Sequence, residues 1–383
     1  MRISDGAPYL HLNERKSTAL SMETSLPFFL NRCAKTRSMS LPFIFCTHPN
    51  ILLEVVIFIL LAMMKQNIKR IHGHGLDELS ALLLQSSDIL NDVVHLNPYS
   101  LGGWSNLNIR GHDSHLDFVL KLPWSTEKRE INPYDHLYKI CLNISKSGIA
   151  PVPLEVGHLN DSAETPFILL EFVNGDVYDS LTDISLKQMN SLKQSLGILS
   201  KLNPSDLPSY NTPSEYLDKI LQSIEGHEWL PRSSDELARM KESFSELYPE
   251  LYSITDAFGE WSKRTMHGDL WVPNIVFREQ KSVFLDLENC AIGDSRYDIA
   301  YLLEASYSQE TDYHQNIVTP QIRDTVNILR PLALSSVIAW SIERLLSMEF
   351  GIVEQSIATP SIRNEILEYV RMKLTRLRSL IIS

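Results

Sequence analysis

Cysteine is scarce in this chain. Cys33, Cys46, Cys141 and Cys290 are its four, with no C-x-x-C pair and no histidine at zinc-finger spacing. A disulfide framework and a structural zinc site are thereby set aside, and a reducing, cytoplasmic setting is expected. Positive charge is short too: 35 Lys and Arg face 47 Asp and Glu, a formal net charge of −12. That balance argues against nucleic acid as a partner, which calls for a basic face, and it is compatible with a cationic substrate. Internal repeats and low-complexity tracts are missing as well. A content of 44% hydrophobic and 21% charged residues is ordinary for a soluble globular protein. The 383 residues leave room for about two or three lobes, each with a core of its own.

A clean bilayer-length apolar run is also lacking, with one near miss. Residues 1–62 differ from the rest: Met1 to Ser40 is polar without a sustained apolar period, and Leu41 to Met64 is strongly apolar. Its core, ILLEVVIFILLAMM, is shorter than the roughly 20 residues a span needs and contains Glu54. Extension back to Phe43 reaches that length but admits Thr47, His48, Pro49 and Asn50. If 43–64 did insert, Lys65, Lys69 and Arg70 would leave the remainder in the cytoplasm. A secretory signal fits poorly, because the apolar part begins late and lacks a small-residue cleavage site. The preferred expectation is a reading frame that starts at Met63 or Met64, which makes 1–62 an atypical extension.

What is present is concentrated between His267 and Asp298: HGDLWVPNIVFREQKSVFLDLENCAIGDSRYD. The apolar run Ile275 to Phe277 follows Asn274, and Val283 to Leu287 carries Asp286, with the polar stretch Arg278 to Ser282 between them as a hairpin turn. Asp269 and Asn274 then lie on a loop before the first strand and Asp286 in or after the second. Phosphoryl transfer needs such a set: a carboxylate to accept the proton of the attacking hydroxyl, and hard oxygen ligands for magnesium. Asp269 suits the first role, Asn274 and Asp286 the second, with Glu288 assisting.

Upstream, Leu79, Leu82 and Leu83 recur at helical spacing after Asp77, a candidate N-cap. Strand-like runs follow at Val93 to Leu96, Leu107 to Ile109 and Phe118 to Leu122. Gly102-Gly103, with Ser105 and Asn106 after them, form a loop before the second, and glycines let a backbone approach phosphates closely. Lys121, on the third, could reach those phosphates. Tyr134 to Lys146 reads as a helix ended by Gly148. Pro166 to Gly175 is an apolar strand running into a turn, the link between two lobes. Beyond it the spacing of Leu186, Met189, Leu192, Leu196 and Leu199 marks one buried helical stripe. Tyr216 to Ile224, Leu237 to Leu247, Tyr297 to Ala305, Leu334 to Met348 and Ile362 to Leu377 read as further helices, with Asp298 and Glu304 structural.

The composite of HGD, an Asn five residues after its Asp, Asp-x-Glu twelve further on, then Gly293-Asp294 and Tyr297-Asp298, resembles the aminoglycoside phosphotransferase and choline kinase-like family. Protein kinases carry H-R-D-L-x-x-x-N and D-F-G at the corresponding places; here Gly268 replaces the Arg and Asp286-Leu287-Glu288 the D-F-G. The resemblance spans roughly residues 90 to 350. It implies an α+β, two-lobed protein kinase-like fold, with an antiparallel sheet in a small nucleotide-binding lobe (63–172) and a larger, mainly helical catalytic and substrate-binding lobe (173–383). It implies ATP and Mg2+ as cofactors and a small-molecule hydroxyl, on an amino sugar, amino alcohol, sugar or similar compound, as acceptor. Gly102, Gly103, Ser105, Asn106 and Lys121 would meet the phosphates, and backbone groups from Glu171 to Val173 the adenine. The helix glutamate that the family sets against its lysine is missing, and Asp135 is the nearest substitute. The absence of D-F-G and A-P-E counts against a protein kinase, and the intact Asp269, Asn274 and Asp286 against a non-catalytic regulatory module.

Overall fold

A computed structural model describes residues 70–103, 105–125, 131–226, 232–259, 261–305, 317–353 and 358–382. The readings made for 1–62, the apolar stretch 43–64 included, fall outside these residues.

Helix α1 (Leu76–Ser86) buries Leu79 and Leu83. Gly75 is its N-cap, not Asp77; Asp77 and Glu78 occupy the first turn, where negative charge meets the positive helix end. Strands β1 (His95–Ser100), β2 (Asn106–His112) and β3 (Asp117–Pro123) form an antiparallel meander. The first strand begins later than its apolar residues suggest. It lies at the sheet edge, where one polar face and Pro98 are tolerated. After helix α2 (Tyr134–Ile144), strands β4 (Pro153–His158) and β5 (Pro166–Glu171) complete a five-stranded sheet in the order β1-β2-β3-β5-β4. Alternation along β3 buries Phe118, Leu120 and Leu122 on one face and turns Lys121 to the other, opposite Asn108 of β2. Helix α2 lays Leu137, Ile140, Cys141 and Ile144 against β4 and β5.

The remainder is largely helical. Helix α3 (Leu186–Leu199) opens with a capping box between Ser185 and Gln188, and α4 (Pro213–Glu225) with Thr212 as cap and Pro213 in the first turn. Helices α5 (Asp235–Ser245) and α6 (Tyr248–Asp256) follow. The second of these is hidden in the sequence because Pro249 reads as a breaker, yet in a first turn its missing N–H is no loss. Short strands β6 (Arg264–Met266), β7 (Ile275–Val276), β8 (Val283–Phe284) and β9 (Ala291–Gly293) pair as β6-β9 and β7-β8. The β7-β8 pair is the expected hairpin.

Helices α7 (Arg296–Ala305), α8 (Arg323–Glu349) and α9 (Pro360–Ile382) close the chain. Helix α8 begins well before Leu334 and runs through Pro331, with the Ser335 hydroxyl donating to the Pro331 carbonyl at 2.9 Å. By length and composition it could cross a membrane. Its apolar residues are instead packed against α4, α7 and α9, so it is the central post of the helical lobe. Glu304 of α7, nearly fully buried, ties the three last helices together through Arg330 and Arg376.

Candidate active site

The HGD turn is held from below. The backbone N–H groups of His267 and Gly268 donate to the two oxygens of Asp298, at 2.8 and 3.0 Å, from the first turn of α7. The His267 ring is fully buried, with Nε2 2.8 Å from the Leu285 carbonyl and Nδ1 accepting from the Asp269 N–H at 3.3 Å. Burial pushes its pKa down to about 4, so the ring is neutral and serves as a fixed strut. Gly268 has φ +82, and a Cβ there would lie 2.2 Å from the Asn289 carbonyl oxygen. Only glycine fits this turn.

Asp269 is thereby presented at the mouth of the turn, where it accepts a hydrogen bond from the Tyr301 hydroxyl. Burial first, and the charge of Asp286 second, push its pKa up to about 7. The Asn274 amide nitrogen donates to the Asp269 carbonyl at 3.1 Å, and its backbone carbonyl accepts from Leu285 N–H at 2.8 Å. The loop is thus fastened across the hairpin, and Asn274 Oδ1 is the atom left for a metal. Asp286 takes a left-handed backbone, φ 57.

Lys121 is buried to 2% exposure and pairs with Asp286 Oδ1 at 2.7 Å and Glu288 Oε1 at 2.6 Å. Burial pushes the ammonium pKa down, but the two carboxylates outweigh it and hold it above its ordinary value. The acid facing this lysine is therefore not Asp135, which is exposed at the second position of α2. The residue before it turns inward. Tyr134 donates through its hydroxyl to Asn106 Oδ1 at 2.8 Å, and Asn106 Nδ2 donates to Glu288 at 3.0 Å. A tyrosine and an asparagine span the distance that one glutamate would cover from the helix. The missing Glu was itself the signal that some other group must do so; nothing in the sequence singled out Tyr134.

Among the described residues no group of three or more His, Cys, Asp or Glu side chains is set to hold a metal. The donors Asn274, Asp286 and Glu288 nonetheless fit magnesium, which takes one or two carboxylates together with phosphate oxygens rather than an all-protein cage. The Asp286 and Glu288 side chains keep 28% and 33% of their surface exposed. Glu288 is the more engaged of the two, since Lys121 and Asn106 both reach it.

Gly102 and Gly103, both at positive φ, join β1 to β2. The Asn108 amide and the Trp124 indole N–H grip their carbonyls at 2.9 and 3.1 Å. A Cβ on Gly103 would lie 2.3 Å from the Asn106 carbonyl, so the close approach excludes any side chain. Ser105 accepts from the Trp340 indole of α8 at 3.4 Å, and the Asn106 side chain faces inward to Glu288. Past Glu171, Asp176 and Phe277 exchange backbone hydrogen bonds at 3.0 and 2.7 Å. They seat Val173 with Val276, Val283 and Leu285 as one small apolar shelf beside the hairpin.

Residues 96–321 match the model of the phosphotransferase enzyme family. Among solved structures the fold is similar to a choline/ethanolamine kinase family protein from Mesorhizobium loti, with TM-score 0.53 and 15% identity over 80% of this chain and 95% of that one. It is similar to the aminoglycoside phosphotransferase APH(4)-Ia, with TM-score 0.53 and 12% identity over 79% and 97%. The spectinomycin phosphotransferase APH(9)-Ia, in complex with ADP and spectinomycin, has TM-score 0.50 and 10% identity over 79% and 97%. No curated protein matches the sequence. At these identities the structural likeness speaks to the protein kinase-like fold.

Proposed function

Since this chain belongs to the phosphotransferase enzyme family, we propose that it transfers the γ-phosphate of ATP to a hydroxyl of a small molecule. The observation that carries the reading is the half-buried Asp269 carboxylate, presented on a braced turn close enough to Asp286 to feel its charge, while Asp286 grips Lys121. A general base is most effective when its pKa lies near the operating pH, and about 7 is such a value.

In this reading the acceptor hydroxyl gives its proton to Asp269 as its oxygen bonds to the γ-phosphorus. The bond from that phosphorus to the bridging oxygen breaks, and ADP leaves with the electron pair. Lys121 and the Gly102-Gly103 loop orient the phosphates, and the Val173 shelf suits the flat face of a purine. Asn274 and Asp286, with Glu288 beside them, would hold Mg2+, which when bound neutralises charge on the phosphates. The bound ADP of the spectinomycin phosphotransferase supports the nucleotide part of this reading. A cytoplasmic location, where ATP is plentiful, goes with it.

The test is magnesium-dependent release of ADP from ATP with amino sugars, amino alcohols, sugars and hydroxy amino acids as acceptors. Stimulation by a small alcohol is the expected result. Phosphorylation of protein substrates alone, or nucleotide binding without turnover on any acceptor, would sink the reading.

A further inference from the structure

A cleft of about 730 Å³ opens beside Glu288, between the start of β2, the first turn of α2 and the middle of α8. Ser105, Asn106 and Tyr134 form its sheet-lobe wall; Trp340, Glu343 and Arg344 form the wall on α8. It is continuous with the lysine cluster, since Glu288 belongs to both.

Arg344 differs from other arginines of the helical lobe. Arg330 and Arg376 share Glu304, and Arg296 is clamped by Asp294. Arg344 makes no hydrogen bond or ion pair with any described residue, and among the described residues the charge acting on it is that of its chain neighbour Glu343. Partial burial pushes its pKa down to about 10, and the charge of Glu343 offsets only part of that cost. A second cation stands nearby. Lys219, an exposed residue of α4, feels the charge of both Asp269 and Glu343, which sets the proposed base and the cleft wall within charge reach of one ammonium. Glu288 and Glu343 also line the cleft, and Arg344 is the single Lys or Arg among its described lining residues.

A guanidinium fork matches the paired oxygens of a carboxylate or a phosphate. We infer that the cleft takes a phosphate acceptor carrying an anionic group, a carboxylate or a phosphate, away from its reacting hydroxyl, with Arg344 as the residue that binds that group. The inference rests on the phosphotransferase reading and narrows its acceptor, and it reverses the expectation of a cationic substrate drawn from net charge. The anion is assigned to the acceptor and not to the nucleotide because Lys219 feels both Glu343, next to Arg344, and Asp269, at the hydroxyl end of the reaction.

The experiment compares matched alcohols on several scaffolds, each as neutral, carboxylate, phosphate and amine forms: glycerol, glycerate, glycerol 3-phosphate and aminopropanediol, then the pentose and amino-acid equivalents. ADP release is followed under saturating Mg-ATP, and Mg-ATP binding is measured separately by calorimetry. An anionic form should exceed its neutral partner in kcat/KM by about tenfold or more, as loss of a charged hydrogen bond implies. Arg344→Gln should raise KM for that acceptor about tenfold while KM for ATP stays within about twofold, and Arg344→Lys should restore part of the loss. The carboxylate and phosphate arms tell the two anions apart. Turnover confined to neutral or amine forms, or no turnover of any anionic form, overturns the inference. So does an Arg344→Gln effect that falls on KM for ATP, which would assign the guanidinium to the nucleotide. Loss of Mg-ATP binding in the unmodified protein would fault the phosphotransferase reading itself.

Discussion

Two groups of acids meet in this site, all partly buried save the fully buried Asp298, and they are treated differently. Asp286 and Glu288 share the ammonium of Lys121 at 2.7 and 2.6 Å, and Glu288 is gripped again by Asn106. Among the described residues Asp269 has a tyrosine hydroxyl and no ion pair, and Asp298 beneath it has two backbone N–H groups. Both of the latter are pushed up to about 7 by burial, the first also by Asp286 and the second, against its hydrogen bonds, also by Asp294. The neutralised side can stay put through a catalytic cycle. The uncompensated side is ready to take a proton.

The sharpest way to break this contrast is Asp269→Asn, which keeps the shape and removes the basic oxygen. Turnover should fall by about a hundredfold or more, with Mg-ATP affinity little changed in a calorimetric titration. Lys121→Met attacks the other side, leaving two carboxylates together without their cation. Because both carboxylates reach solvent, the loss should be about 2–4 kcal/mol in denaturant unfolding, toward the low end of breaking a buried pair, with Mg-ATP affinity also reduced.

Asp298→Ala leaves the His267 and Gly268 N–H groups unsatisfied and should cost about 2 kcal/mol. It should also change the pH dependence. The folded-state pKa values of Asp269 and Asp298 are raised above the unfolded value of about 3.9. The folded protein therefore holds protons that the unfolded chain has released between about pH 4 and 7, and its stability without metal falls as pH climbs through that window. Thermal scans across it should show a shallower slope in the Asp298 variant. An equal slope would mean that Asp269 alone titrates. The smallest effect is expected for Tyr134→Phe, which removes one hydrogen bond from the relay to Glu288. About 1 kcal/mol should appear as a severalfold rise in KM for ATP with kcat nearly constant; a fall in kcat alone would show that the relay does not bear on Lys121.

The contrast also explains what could be read before any coordinates. The HGD turn, Asn274, the β7-β8 hairpin and Asp286 were legible because they lie close together along the chain, where spacing carries their geometry. Lys121 was legible because strand alternation sets its face. Its partners were not: Glu288 lies 167 positions away, and Tyr134 acts only through Asn106, so no local pattern links them. Asp135 was the better guess by charge and failed by helix phase, since adjacent residues on a helix point to different sides. Proline misled the helix reading twice: α8 was begun too late because of Pro331, and α6 was missed because of Pro249.

The glycine at 268 has a consequence for control. Protein kinases place an arginine between the corresponding His and Asp, and arginines are the groups by which a phosphorylated activation loop is drawn into order. Here the Asn289 carbonyl oxygen stands 2.2 Å from where the first atom of any side chain would be. The loop is closed to an arginine by its own backbone. His267, Asp298 and Leu285 hold the turn assembled without an added phosphate. A turn closed this way offers no arginine through which a phosphate elsewhere on the chain could draw it into order.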